Sequence, residues 1–193
     1  LPFTQGDTEM NRSLTGTELK RLHREWRKRP KGNLSIIMHG IQGPFNVGAI
    51  IRSAAAERVD HIWFSSDATT PTNSKVGKTA LGSERYINWQ ETSSPFEAID
   101  DARSRGYRVV ALELATESVP LPQIDLRGDI CLVIGHEDRG LEQEILKACD
   151  VSTFIPQLGK IGSLNVAVAT AIAIYEVRRQ GWGSSIQPET SKP

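Results

Sequence analysis

Short uninterrupted apolar runs alternate with longer stretches of helical periodicity along most of the chain. LSIIM (34–38), HIWFS (61–65), RVVAL (108–112), ICLVI (130–134) and STFI (152–155) each read as a strand covered on both faces. Between them, helices are expected near 48–57, 95–105 and 141–148, with a last one from Ser163 to about residue 180. This alternation predicts an α/β domain with a mostly parallel sheet flanked by helices. The longest gap, Ser66 to Ser94, is rich in Thr, Ser, Pro, Lys and Gly. It reads as a loop long enough to have a task of its own.

The two ends depart from that rhythm. The first 16 residues are polar and aperiodic, a mobile lead-in. A helix is then expected with Thr17 as its cap and Leu19, Leu22 and Trp26 as a narrow apolar stripe, ended by Pro30 and Gly32. In the last helix, Leu164, Val168, Ala171, Ile172 and Tyr175 form one stripe, while Val166, Ala167, Ile174 and Val177 carry apolar surface round the cylinder. Such a helix is buried on more than one side, within the domain or against a second copy, and Gly181 supplies its stop. The organisation expected is a lead-in and basic helix over 1–33, one domain over 34–181 and a flexible tail over 182–193. A chain of 193 residues with 38% hydrophobic content has material for one core.

Charge adds a local feature. The 23 basic and 23 acidic residues cancel, so the molecule is no polycation. Between Lys20 and Lys31, however, seven basic residues, Arg24, Arg27 and Lys28 among them, face Glu25 alone. The run is either a solvated helix face or an arm that meets phosphates. Cys131 and Cys149 are too few for a disulfide framework, and Cys131 falls in an apolar run that suits a buried, reduced thiol. With no apolar stretch of bilayer length and no secretory leader, a soluble cytoplasmic protein without a membrane partner is expected. The four histidines, His23, His39, His61 and His136, are too scattered for a metal site, and none is expected.

Polar groups concentrate at predicted strand ends, where open α/β sheets place their ligands. ICLVI is followed by Gly135-His136-Glu137-Asp138-Arg139-Gly140, a turn that is ordinary as an acidic helix cap but also able to bring backbone amides and a carboxylate to a ligand. STFI is followed by Pro156-Gln157-Leu158-Gly159-Lys160-Ile161-Gly162 and then Ser163-Leu164-Asn165, where Ser163 or Asn165 would cap the last helix. Two glycines, a proline and a capped helix make a tight edge of backbone donors and acceptors, better suited to a neutral adenine-like ligand than to a triphosphate. After LSIIM, Asn46 stands where a helix N-cap belongs, and Arg52 follows on a helix of small or apolar residues. That arginine should pair with an acid such as Glu137 or direct its fork at an anion, phosphate above all. HGIQGPFNVG lacks the spacing and downstream acid of a dinucleotide fingerprint, which argues against a nucleotide-dependent oxidoreductase.

NVGAIIRSA, LVIGHEDRGL and IPQLGKIGSLNVAVATAIAIYE resemble, in order and spacing, the three motifs of the SpoU/TrmH family of SPOUT methyltransferases, over roughly 34–180. The resemblance implies an α/β fold with a C-terminal trefoil knot, S-adenosyl-L-methionine bound in that knot, and a homodimer that completes the site. It implies methylation of a ribose 2′-hydroxyl in structured RNA. Matched position by position, Asn46, Arg52, Glu137, Ser163 and Asn165 are the implied catalytic residues, and Leu112, Leu114, Gly135, Ile155, Ser163 and Leu164 the implied cofactor contacts. His136 stands where the family commonly has another residue, and it receives no role. Arg24, Arg27, Lys28, Arg52, Lys75, Lys78 and Arg85 are the expected RNA contacts. Absence of a separate RNA-binding domain favours transfer RNA over ribosomal RNA. The rival reading is a catalytically silent RNA-binding or assembly protein of the same fold.

Overall fold

The computed structural model describes residues 12–182, so positions 1–11 of the expected 16-residue lead-in and positions 183–193 of the tail expected over 182–193 lie outside the described residues. Its strands are β1 (Leu34–His39), β2 (His61–Ser65), β3 (Asn88–Thr92), β4 (Arg108–Leu112), β5 (Val119–Pro120), β6 (Ile130–Ile134) and β7 (Val151–Phe154). The helices are α1 (Gly16–Trp26), α2 (Pro44–Ala56), α3 (Gly77–Ala80), α4 (Pro95–Ser104), α5 (Gln143–Ala148) and α6 (Val166–Gly181). The strands form one seven-stranded sheet in the order β3-β2-β1-β6-β4-β7-β5, and each neighbouring pair is parallel.

Alternation along the central strands divides the core into two layers. Ile36 and Met38 of β1, with Leu132 and Ile134 of β6, pack beneath α2 and α6 through Ile50, Ile51, Ala173 and Ile174. Ile37 and Val133 turn the other way, against Ala98, Ile99 and Ala102 of α4 and Ile145 of α5. Both cysteines are free and buried, and burial pushes the Cys149 thiol up to about 12.

Several expected boundaries shift for local reasons. Thr15, not Thr17, caps α1, because Thr15 and Glu18 form a reciprocal capping box. α2 begins at Pro44, earlier than its apolar periodicity suggests, since proline's fixed φ and missing N–H suit the first helical position. The gap from 66 to 94 is not one loop. It holds α3, a 3-10 turn over Ser83–Tyr86 and the edge strand β3, whose sequence NWQET is polar because that edge is half exposed. Gly181 is no left-handed stop either: it is the last residue of α6, and its carbonyl accepts the Lys31 N–H at 3.0 Å.

Candidate active site

The C-terminal ends of β1, β6 and β7 bring the three polar segments together. Because Gly43 occupies the cap position of α2, the Asn46 side chain is not spent on capping as expected. Its Nδ2 donates to Glu137 Oε1 at 3.1 Å, and its Oδ1 accepts from Asn165 Nδ2 at 3.0 Å. Glu137 also accepts the backbone N–H groups of Gly43 at 3.0 Å and Gln42 at 3.4 Å. Asn165 is the cap of α6, its Oδ1 accepting from Ala167 N at 2.9 Å and Val168 N at 3.2 Å. A single relay, Glu137 to Asn46 to Asn165 to the start of α6, thus ties together all three segments. Partial burial alone would raise the Glu137 carboxyl, but hydrogen bonds from the Asn46 amide and the N–H groups of Glu137, Gly43 and Gln42 hold it below its ordinary value. Glu137 therefore stands in the relay as a carboxylate acceptor.

Beside the relay lies a cavity of about 610 Å³, walled by the segments after β4, β6 and β7. Leu112, Leu114, Gly135, Ile155, Ser163 and Leu164 all line it. Much of its surface is backbone, for a reason visible in the 135–140 turn. A Cβ on Gly135 would lie 2.4 Å from the Gly140 carbonyl, and Gly140, at φ +65°, lies against the Glu113 carboxylate. No side chain fits at either position, and the main chain comes to the cavity wall. Glu113 Oε2 accepts Leu141 N–H at 3.0 Å and fixes the far end of the turn. Sequence reasoning missed Glu113, although its place directly after RVVAL, at a strand's C-terminal end, is the signal that could have found it. His136 also lines the cavity, its Nδ1 accepting from Asp138 N at 3.0 Å.

On the other side of Asn46 and Asn165 runs an apolar groove of about 870 Å³ along α6. Ala49, Leu121, Ile155, Val168, Ile172 and Tyr175 are among the residues lining it. Val168, Ile172 and Tyr175 are 50%, 40% and 51% exposed, so the stripe expected over Leu164 to Tyr175 faces outward, while Ala173, Ile174 and Val177 fill the core.

The expected basic contacts fall into separate places. Arg52 is exposed on α2, lines neither cavity and makes no ion pair among the described residues. The alternative of a pair with Glu137 is therefore not realised. Lys75, Lys78 and Arg85 are exposed on the segment that packs against α2. Arg24, Arg27 and Lys28 are exposed at the opposite end of the molecule. There Trp26 meets Trp182 with ring centroids 5.0 Å apart, and Lys31 bonds to Gly181. The base of the arm thus sits at the far end of α6, roughly 24 Å from Asn165 at 1.5 Å per residue.

Residues 33–175 match the family model of the SpoU rRNA Methylase family. A 23S rRNA (guanosine-2′-O-)-methyltransferase of Xanthomonas axonopodis pv. citri is 35% identical over 151 residues, covering 78% of this chain and 60% of the relative. A tRNA (guanosine(18)-2′-O)-methyltransferase of Escherichia coli K12 is 31% identical over 155 residues, covering 79% and 66%. Among solved structures, an AdoMet-bound rRNA methyltransferase from Sinorhizobium meliloti superposes with a TM-score of 0.72 at 30% identity, covering 80% of this chain and 59% of that one. The chain spans about three fifths of the length of the curated relatives it matches.

Proposed function

The chain belongs to the SpoU rRNA methylase family, and from that premise we propose that it transfers a methyl group from S-adenosyl-L-methionine to a ribose 2′-hydroxyl in structured RNA. The observation that carries this reading is the relay from Glu137 through Asn46 to Asn165, set at the rim of a cavity built largely from backbone.

The cavity suits that cofactor on its own chemistry. It has the size of a nucleoside-bearing ligand, a wall where a Gly135 Cβ would collide with the main chain, and apolar flanks from Leu112, Ile155 and Leu164. S-adenosyl-L-methionine, when bound, supplies an electrophilic methyl group. Leu112, Leu114, Gly135, Ile155, Ser163 and Leu164 hold and orient it. Asn46 and Asn165, fixed by Glu137 and by the α6 amides, define the edge over which the ribose approaches. Holding the two partners in line can supply several kcal/mol of the barrier. Arg52, an exposed cation that makes no ion pair among the described residues, clamps the adjoining phosphate and stabilises negative charge on the 2′-oxygen as its proton leaves. A guanidinium that stays protonated does this without acting as the base.

A second copy covers the groove along α6 in this reading. Exposed Val168, Ile172 and Tyr175 form a patch that a monomer would leave in water, and the groove begins at Asn46 and Asn165. The resulting homodimer lays Arg52 of one protomer towards the site of its partner, and the segments around 113–118, 135–141 and 156–165 make the trefoil knot. The named relatives act on ribosomal and on transfer RNA, so both are tested as substrates. The protein incubated with methyl-labelled cofactor and either unfractionated transfer RNA or ribosomal RNA is expected to label one of them. Cofactor and RNA binding with no transfer to either would instead favour the catalytically silent reading.

A further inference from the structure

The segment packed on α2 carries features that the methyl-transfer site does not use. Tyr86 is 75% exposed at the end of the Ser83–Tyr86 turn, and the Arg85 guanidinium lies 5.8 Å from its ring centroid. Leu81, in the left-handed region at φ 52°, is 63% exposed although a residue with a Cβ pays for that conformation. Phe45, one residue before Asn46, is 54% exposed, and its carbonyl accepts from Thr79 Oγ1 at 3.1 Å. The layer is held in place: a Cβ on Gly48 of α2 would fall 2.0 Å from Thr79 Oγ1 and 2.4 Å from the Val76 carbonyl. A rigid platform therefore carries aromatic faces out of the first turn of α2 and out of the turn beside it. Lys75, Lys78 and Arg85 surround it, and its one acid, Glu84, keeps a carboxylate oxygen buried without a hydrogen-bond partner among the described residues.

We infer that this platform, centred on Tyr86, stacks an unpaired base of the RNA substrate next to the methylated nucleotide, and so selects RNA whose target lies in a loop or bulge. Cations alone bind phosphates of any RNA, paired or not. An aromatic ring flanked by arginine adds what only an unstacked base can use, because each base offers a π-face. Charge complementarity favours RNA over a second copy of this neutral chain as the occupant. Phe45 links the platform to chemistry, since it shares the first turn of α2 with Asn46.

The inference rests on the RNA reading given above, and the test separates the two. The parent protein, Tyr86→Ala, Tyr86→Phe and Lys78→Ala are titrated with a short single-stranded RNA carrying 2-aminopurine and with a fully paired RNA of the same length, over a series of salt concentrations. Tyr86→Ala is expected to bind the single strand about 5-fold or more weakly, by the usual worth of one stacked base, with an unchanged salt slope. Tyr86→Phe keeps parental binding and the fluorescence change of the stacked base, whereas Lys78→Ala lowers the salt slope on both RNAs. Because Tyr86 is exposed, its variants should melt with the parent. If the parent binds RNA and Tyr86→Ala matches it on both, the platform is not a stacking site. If Tyr86→Ala changes the sedimentation of the protein instead, the patch is an interface between copies. If the parent binds neither RNA, the RNA reading itself fails.

Discussion

The two ends of α6 are held by opposite means. At its start, Asn165 caps the helix with a neutral amide that is itself a link in the relay to Asn46 and Glu137, and it is exposed. Near its end, the buried Arg178 guanidinium donates to three backbone carbonyls, Glu57 at 2.7 Å, Gly32 at 3.1 Å and Arg58. Carbonyls of a packed backbone do not rearrange, so the Arg178 end is a fixed anchor joining α6 to the turn after α2 and to the entry of β1. Side-chain amides at a solvent-facing cavity edge can exchange partners, so the Asn165 end can admit a ligand. One helix thus carries a structural bolt at one end and an adjustable contact at the other.

The largest effect should come from the anchor. Arg178→Ala leaves three carbonyls without their donor and should lower stability by about 3 kcal/mol or more in urea unfolding, with turnover per folded molecule near parental. A loss of turnover without loss of stability would erase the distinction between the ends. At the other end the balance reverses. Glu137→Ala frees Asn46 and should reduce methyl transfer about 100-fold, the cost of a misplaced reacting group, a loss far larger than its smaller fall in melting temperature accounts for. Acid sharpens the same contrast. The folded Glu137 carboxyl lies below its ordinary value, so the stability it adds is complete above the unfolded glutamate value of about 4.3 and is lost as pH falls through the folded one. The stability difference between the parent and Glu137→Gln should therefore shrink towards zero in acid. The difference between the parent and Arg178→Ala should largely persist, because the guanidinium donates to carbonyls and Asp60 and Glu57 act on it only as nearby charges.

How far these two ends could be read from the sequence differs in the same way. The apolar runs of β1, β2, β4 and β6 were legible almost to the residue, because a strand buried on both faces leaves a continuous signature. Asn46, Glu137 and Asn165 were singled out through motif resemblance, yet their contact was not foreseen, since Asn46 was expected as a cap and α2 instead starts at Pro44 with Gly43 as its cap. Arg178 was invisible, because a basic residue in the last turn of a helix is ordinarily a solvated partner of the helix dipole. Its burial depends on carbonyls that lie 120 or more residues away. The edge strand β3 escaped for a related reason: a half-exposed parallel edge needs few apolar residues, and NWQET offers only Trp89.

Between the two ends, Ile172→Asp puts a charge into the outward groove and should convert the proposed dimer to monomers in sedimentation, with the fold intact because Ile172 is 40% exposed. An unchanged sedimentation coefficient would mean that α6 is not the contact between copies. The smallest effect is expected at the arm beyond the anchor. Replacing Arg24, Arg27 and Lys28 with alanine should weaken RNA binding several-fold at low salt, flatten the salt dependence and leave cofactor affinity unchanged, as their distance from the cavity demands. An unaltered salt slope would return the arm to an ordinary solvated helix face.

The most direct test of the central claim is chemical identification of the product. RNA methylated by this protein from labelled cofactor is hydrolysed in alkali, which cleaves next to each free 2′-hydroxyl and spares the bond next to a methylated one. Label is expected in alkali-resistant dinucleotides and is expected to be lost in Arg52→Ala. Label recovered in mononucleotides would place the methyl group on a base and contradict transfer to the 2′-oxygen.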